Sequence, residues 1–156
     1  MDRGPRPYLE YASEICLSAW VFNGKELVDS DIPPGTVGFV YCITNTVTDR
    51  KYIGRKILTS TTRKPLKKDE LRRKKVVKPS NWKDYYGSSE EMKADVLTFG
   101  KESFKREILR MCRSKTEMSY FETKEILVRD ALIRDDYINK WLTAQINGKN
   151  LHYLKG

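Results

Sequence analysis

Histidine is almost missing from this chain: His152 is the single one in 156 residues. A zinc site built on imidazoles and a Ser-His-Asp triad with its partners are both very poor fits to that. Cysteine is scarce too. Cys16, Cys42 and Cys112 form an odd set without close pairing or metal-ligand spacing, and they read as buried thiols. No apolar run approaches the roughly 20 residues that span a bilayer, and the opening MDRGPRPYLEY has no apolar secretory core. A cytoplasmic protein with no membrane partner is the expectation. Zinc-finger and helix-turn-helix patterns are absent as well, so no separate DNA-targeting module is expected. What remains, 39% hydrophobic and 33% charged, fits one soluble domain with one modest core.

Positive charge is what the chain has in excess, and it is unevenly spread. Of a net +9, the stretch from Arg50 to Lys83 carries fourteen Lys or Arg against Asp69 and Glu70, a local +12, which leaves −3 for the rest. Such a block is the footprint of a phosphate-backbone partner, because each neutralised phosphate releases counterions. Its densest part is a basic arm at about residues 63–80, RKPLKKDELRRKKVVKP and its flank. It reads as a helix or a mobile loop, with Pro65 against a long unbroken helix. Lys67, Lys68, Arg72, Arg73, Lys74, Lys75 and Lys78 are its candidate DNA contacts. A solvated basic loop is the plain alternative.

Gly38 to Gly54 reads as a β-hairpin: two apolar runs, Phe39 to Ile43 and Tyr52 to Ile53, separated by Thr, Asn and Asp. Tyr41, Tyr52, Gly54, Arg55 and Lys56 thereby come close together. Upstream, Tyr8 to Trp20 suits a short helix, and Ser18 to Val28 a hairpin turning at Asn23-Gly24; residues 1–37 are expected to be an extension packed on a core formed by 38–156. A helix starts at Ser88 or Ser89, with Glu91 closing a capping box on Ser88 and Gly100 as its stop. Ser103 to Cys112 is strand-like. A last helix runs from Ser114 through SKTEMSYFETKEILVRDALIRDD, with Glu117 as capping-box partner. At 100° per residue Met118, Phe121, Val128 and Leu132 share a stripe, with Glu125 near its centre and Glu122 on its edge. Carboxylates on an apolar face need partners, either arginines or a metal ion.

Phe39-Val40-Tyr41, ten residues, then Tyr52-Ile53-Gly54 resembles the GIY-YIG nuclease family, with Phe39 where the motif has glycine. The block Asn81 to Ser89 (NWKDYYGSS), the strand after Gly100, Phe121-Glu122-Ile126 and Tyr137-Ile138-Asn139 follow in the family's order. The resemblance implies an α+β domain with a three-stranded antiparallel core sheet flanked by helices. It also implies a DNA endonuclease using one Mg2+ (or Mn2+). In that reading Tyr41 is the general base, its phenol pKa lowered by cations, and Tyr52 positions water or phosphate. Arg55, Lys56 and Arg63 bind the phosphate, with Arg72 and Arg73 as alternatives to Arg63. Tyr85, with Tyr86 as the alternative, is a third hydroxyl near the phosphate. Glu122, preferred over Glu125 by the motif, holds the metal, and Asn139 orders the phosphate or a helix end. Phage or mobile-element origin, and a dimer or larger assembly for duplex cleavage, are also implied. A binding module without turnover and a protein-interaction domain are the competing classes.

Overall fold

The computed structural model describes residues 18–155. Its main elements follow the chain as β1 (Trp20–Phe22), β2 (Lys25–Glu26), β3 (Gly38–Asn45), β4 (Lys51–Ile57), β5 (Thr59–Arg63), β6 (Lys75–Pro79), α1 (Glu90–Phe99), β7 (Phe104–Cys112) and α2 (Lys115–Val128).

β3 is apolar at almost every position, so it can be stable only with both faces covered. It lies between β7 and β4, antiparallel to each. Phe39, Tyr41 and Ile43 face one core with Trp20, Trp82, Met92 and Phe104. Val40 and Cys42 face the other, with Ile53, Met118, Ile126 and Tyr137. β7 carries one extra residue against β3 between Val40 and Tyr41, a bulge beside Tyr41.

The expected three-stranded antiparallel sheet is corrected to five strands, in the order β2-β1-β7-β3-β4, with β1 parallel to β7. The antiparallel trio forms its centre. The upstream hairpin extends this sheet at its edge, and Trp20 enters the same core as Tyr41. Its Asn23-Gly24 turn has both residues at positive φ, 51° and 77°, as a two-residue hairpin of this twist requires. Of the helix expected over Tyr8 to Trp20, residues up to 17 lie outside the described part.

Ser89 and Ser114 cap α1 and α2, each accepting the N–H three residues on, from Met92 and Glu117. Glu91 closes no capping box on Ser88; it is drawn away by Arg50 and Lys140. α2 ends at Val128, short of the expected Asp136. Asp130 sits at φ 52°, its N–H bonded to Leu127 and that of Ala131 to Ile126, which closes the helix as a Schellman motif without glycine. Val128 and Leu132 are consequently outside the buried stripe, which runs through Glu117, Met118 and Ile126.

The basic arm is also corrected. It is a separate two-stranded antiparallel ribbon, β5 with β6. The threonines Thr59, Thr61 and Thr62 and the Val76-Val77 pair are β-branched and suit a pleated strand better than a helix.

Candidate active site

β4 is the edge strand that organises the site. Its residues alternate between two faces of the sheet and, in their backbone groups, between β3 and the open edge. Along the open edge Lys51 accepts from Ile138 N–H and donates to Asp136 O, both at 2.8 Å. At Ile53 the Asn139 side chain takes over: Oδ1 accepts the Ile53 N–H at 2.9 Å and Nδ2 donates to its carbonyl at 2.8 Å. The amide thus stands in for one more peptide unit of a short parallel strand. Ser80 donates its hydroxyl to Ile57 O at 2.5 Å. Between these two closures comes Arg55, whose outward N–H and C=O have no partner among the described residues.

A cleft of about 570 Å³ opens at this edge, lined by Tyr52, Arg55, Tyr85, Ser88 and Glu122, with the exposed Trp141 on its wall. It draws on both faces of the sheet. Arg55 projects on the α2 side, where its guanidinium donates to Ser119 Oγ and pairs with Glu122 Oε2 at 3.1 Å. Burial pushes the Glu122 carboxyl above the usual carboxylate range, against the opposing pull of Arg55. Tyr52 projects on the other side and shares a hydrogen bond with Ser88 Oγ at 3.0 Å. Burial raises its phenol too, opposed by that bond.

Tyr41 lies behind Tyr52 and Tyr85, with ring centroids at 6.3 and 5.9 Å. Its side chain is fully buried, and its hydroxyl has no hydrogen-bond partner. Room for it exists because residue 54 is glycine: a Cβ there would lie 2.6 Å from Tyr41 Cζ and closer still to the hydroxyl. Burial first, then the neighbouring phenols of Tyr85 and Tyr52, hold the Tyr41 pKa well above the ordinary tyrosine value. The expectation of a phenol acidified by cations is therefore corrected. The nearby cations lie elsewhere: Arg55 is on the opposite face and paired, and Lys56 donates to Asn81 Oδ1 at 2.7 Å with its ammonium 4.0 Å from the Tyr85 ring centroid. Burial also lowers the Lys56 pKa.

Tyr85 owes its place to Arg106, which the sequence reading did not single out. Buried in β7, Arg106 donates to the carbonyls of Lys83 and Tyr85 at 2.8 and 3.0 Å and stacks on Tyr86 and Trp20. Ser88, Ser119, Asn81 and Trp141 were missed as well. Of these, Asn81 and Ser88 had a signal, as members of the NWKDYYGSS block.

The structure separates the other candidates. Glu125 pairs with Arg129 at 2.9 Å. Glu117 is buried at the start of α2, accepting from Tyr153 Oη at 2.6 Å and Arg113 N–H at 2.9 Å. Of the three carboxylates, Glu122 is the one on the cleft. Arg63 is not brought to the cleft; it pairs with Lys75 at the far end of β5. Lys67, Lys68, Arg72, Arg73, Lys74, Lys75 and Lys78 lie exposed along the ribbon and its loop, and Asn139 is buried with its amide engaged by Ile53.

Among the described residues no group of three or more His, Cys, Asp or Glu is arranged to hold a metal. A divalent cation that keeps most of its waters and binds through one carboxylate plus phosphate oxygens needs no such group, and Glu122 on the cleft wall fits that donor set. A family model described as Putative endonuclease segE, GIY-YIG domain, matches residues 20–146. No curated protein and no solved structure matches the chain.

Proposed function

Because the chain belongs to the GIY-YIG family of endonuclease domains, we propose that the cleft at the β4 edge hydrolyses DNA phosphodiesters with one divalent cation, Mg2+ or Mn2+. The observation that carries this reading is that Tyr52, Arg55, Tyr85 and Glu122, drawn from β4, a loop and α2, line one cleft. Phosphodiester hydrolysis needs an oriented water, relief of charge on the transition state and a stabilised leaving oxygen.

Glu122 would hold the cation. Bound there, the cation polarises the phosphate and the leaving oxygen. Arg55 exchanges part of its pairing with Glu122 for a phosphate oxygen, and its open backbone N–H is a second donor at the same edge. Tyr41 and Tyr52 enter as neutral phenols, so their work is to donate hydrogen bonds to a phosphate oxygen; the proton that the attacking water loses passes to bulk solvent, and the leaving oxygen takes up a proton from water. Tyr41 lies behind Tyr52 and Tyr85, so its hydroxyl gains the partner it lacks once substrate parts those two rings. Lys56 and Tyr85 complete the wall behind it, and Arg106 positions Tyr85. The ribbon cations Lys67, Lys68, Arg72, Arg73, Lys74, Lys75 and Lys78 hold the duplex. A phage or mobile-element role, and pairing of two copies to cut both strands, belong to the same proposal and rest on the family resemblance.

Supercoiled plasmid incubated with the protein is the direct test. Relaxed circles should accumulate in Mg2+ or Mn2+ and stop with a chelator. Plasmid that is bound but never nicked in either metal would reduce the molecule to a binding module.

A further inference from the structure

The ribbon is not needed to build the cleft, yet it continues directly from β4, the strand that organises the cleft, starting at Thr59 just beyond Ile57. Ser80 donates its N–H to Leu58 O at 2.8 Å and its hydroxyl to Ile57 O, fixing the base of the ribbon beside the end of β4. Beyond that base, β5 and β6 pair only with each other. A lone two-stranded ribbon is marginal in water, and this one carries an added burden. From Arg63 to Lys78 there are nine Lys or Arg against Asp69 and Glu70, and among the described residues only Lys74 has an acidic partner, Glu70 at 3.2 Å. Such mutual repulsion is relieved by a polyanion.

The ribbon also has a face with chemistry beyond charge. The register places Thr59, Thr61, Arg63, Lys75, Val77 and, at the base, Pro79 on one side, all exposed, with Val77 63% accessible. That side offers two cationic donors, two hydroxyls with their methyl groups, and one bare valine. Arg and Lys bond guanine O6 and N7, and Thr methyl and other apolar groups meet the thymine methyl, all in the major groove. Size agrees: strands about 4.8 Å apart with branched side chains need more than the roughly 6 Å minor groove, and the major groove is about 12 Å wide.

On the reading of the cleft as a DNA nuclease, we propose that the β5–β6 ribbon lies in the major groove beside the cleaved bond and reads base edges with its Thr59, Thr61, Arg63, Lys75 and Val77 face. The loop at 64–74 grips the flanking backbone. Five residues at about 3.3 Å each cover about five base pairs, so the reading is confined to one side of the cut.

Methylation interference tests this with Glu122→Gln protein, which should bind without cutting, on a labelled fragment of mixed sequence whose cut positions wild-type protein has mapped. Lightly treated with dimethyl sulfate, the fragment carries methyl groups at guanine N7 in the major groove and adenine N3 in the minor. The expected result is that N7-methylguanine is depleted from bound DNA over about five base pairs on one side of the cut, with no effect at adenine N3. Arg63→Ala should weaken binding about 5- to 150-fold at a site with the guanine it reads, and far less at sites without it. Interference from adenine N3, or interference only from ethylated phosphates on a parallel fragment treated with ethylnitrosourea, would overturn the groove assignment while leaving the nuclease reading intact. Conversely, a wild-type protein that never cuts but shows the N7 pattern at its binding site would end the nuclease reading and keep the ribbon's role.

Discussion

Replacing Tyr41 with phenylalanine should make the protein more stable and less active. The Tyr41 hydroxyl is fully buried and has no hydrogen-bond partner. A buried hydroxyl without a partner costs about 1 to 3 kcal/mol. Phenylalanine keeps the ring and its edge contacts with Trp20, Phe39 and Tyr85 and removes only the orphaned oxygen. For a chain of this size that gain corresponds to a rise in Tm of roughly 3 to 10 °C. If the hydroxyl donates to phosphate in the transition state, nicking should fall about 100- to 1000-fold, as when one such donor is deleted elsewhere. Thermal unfolding and plasmid nicking on the same preparation read the two effects. A Tyr41→Phe protein of lower Tm would refute the reasoning about the orphaned hydroxyl, and one of normal activity would refute its role in the reaction.

Gly54→Ala should lower both stability and nicking. The new methyl meets the buried Tyr41 ring 2.6 Å from Cζ, and overpacking of this kind costs about 1 to 3 kcal/mol, read from urea unfolding. Asn139→Ala strips two bonds from Ile53 and should cost about 2 to 4 kcal/mol; DNA affinity of the folded variant should stay within about twofold, whereas a direct DNA contact would lose more. The pH profile of nicking should be a plateau bounded on both sides. The acid limb reports Glu122, whose raised pKa makes it take up a proton at higher pH than an ordinary glutamate, and the alkaline limb, displaced above the ordinary tyrosine range by burial, reports the neutral phenols ionising. The same Glu122 shift has a defined sign in stability. The native state binds the extra proton, so the contribution is present below the ordinary carboxylate pKa and lost as pH rises through the raised one. Glu122→Gln should accordingly be more stable than wild type at neutral pH, with the difference shrinking in acid, as followed by unfolding at each pH.

The hairpin was legible because its apolar runs and turn residues are local. Helix starts at Ser89 and Ser114 were legible for the same reason, since a capping serine acts within three residues of itself. The end of α2 was not. Asp130 adopts a backbone conformation usually left to glycine, and a period-3.6 pattern continues past it in the sequence. The ribbon escaped because an exposed strand has no apolar face to betray its period, so TSTTR reads as polar loop. The parallel pairing of β1 with β7 joins residues more than eighty positions apart, beyond any local signal.

At the site, residue types were more legible than their states. Tyr41, Tyr52, Arg55 and Glu122 stand out by spacing, but the ionisation of Tyr41 depends on what covers it. Trp20 and Trp82, from segments with no evident link to the hairpin, line the same core and keep the phenol neutral. Asn139 read as ordering the phosphate or a helix end because its neighbours match a motif. Its work as a substitute peptide unit on β4 is visible only once the edge strand is known.

The claim that the β4 edge cleft cuts DNA is tested most directly by measuring plasmid nicking and DNA affinity together for wild-type and Glu122→Gln proteins in Mg2+. The expected result is equal affinity within about twofold and nicking slower by at least about 100-fold in the variant. Equal nicking rates for the two proteins would contradict the account.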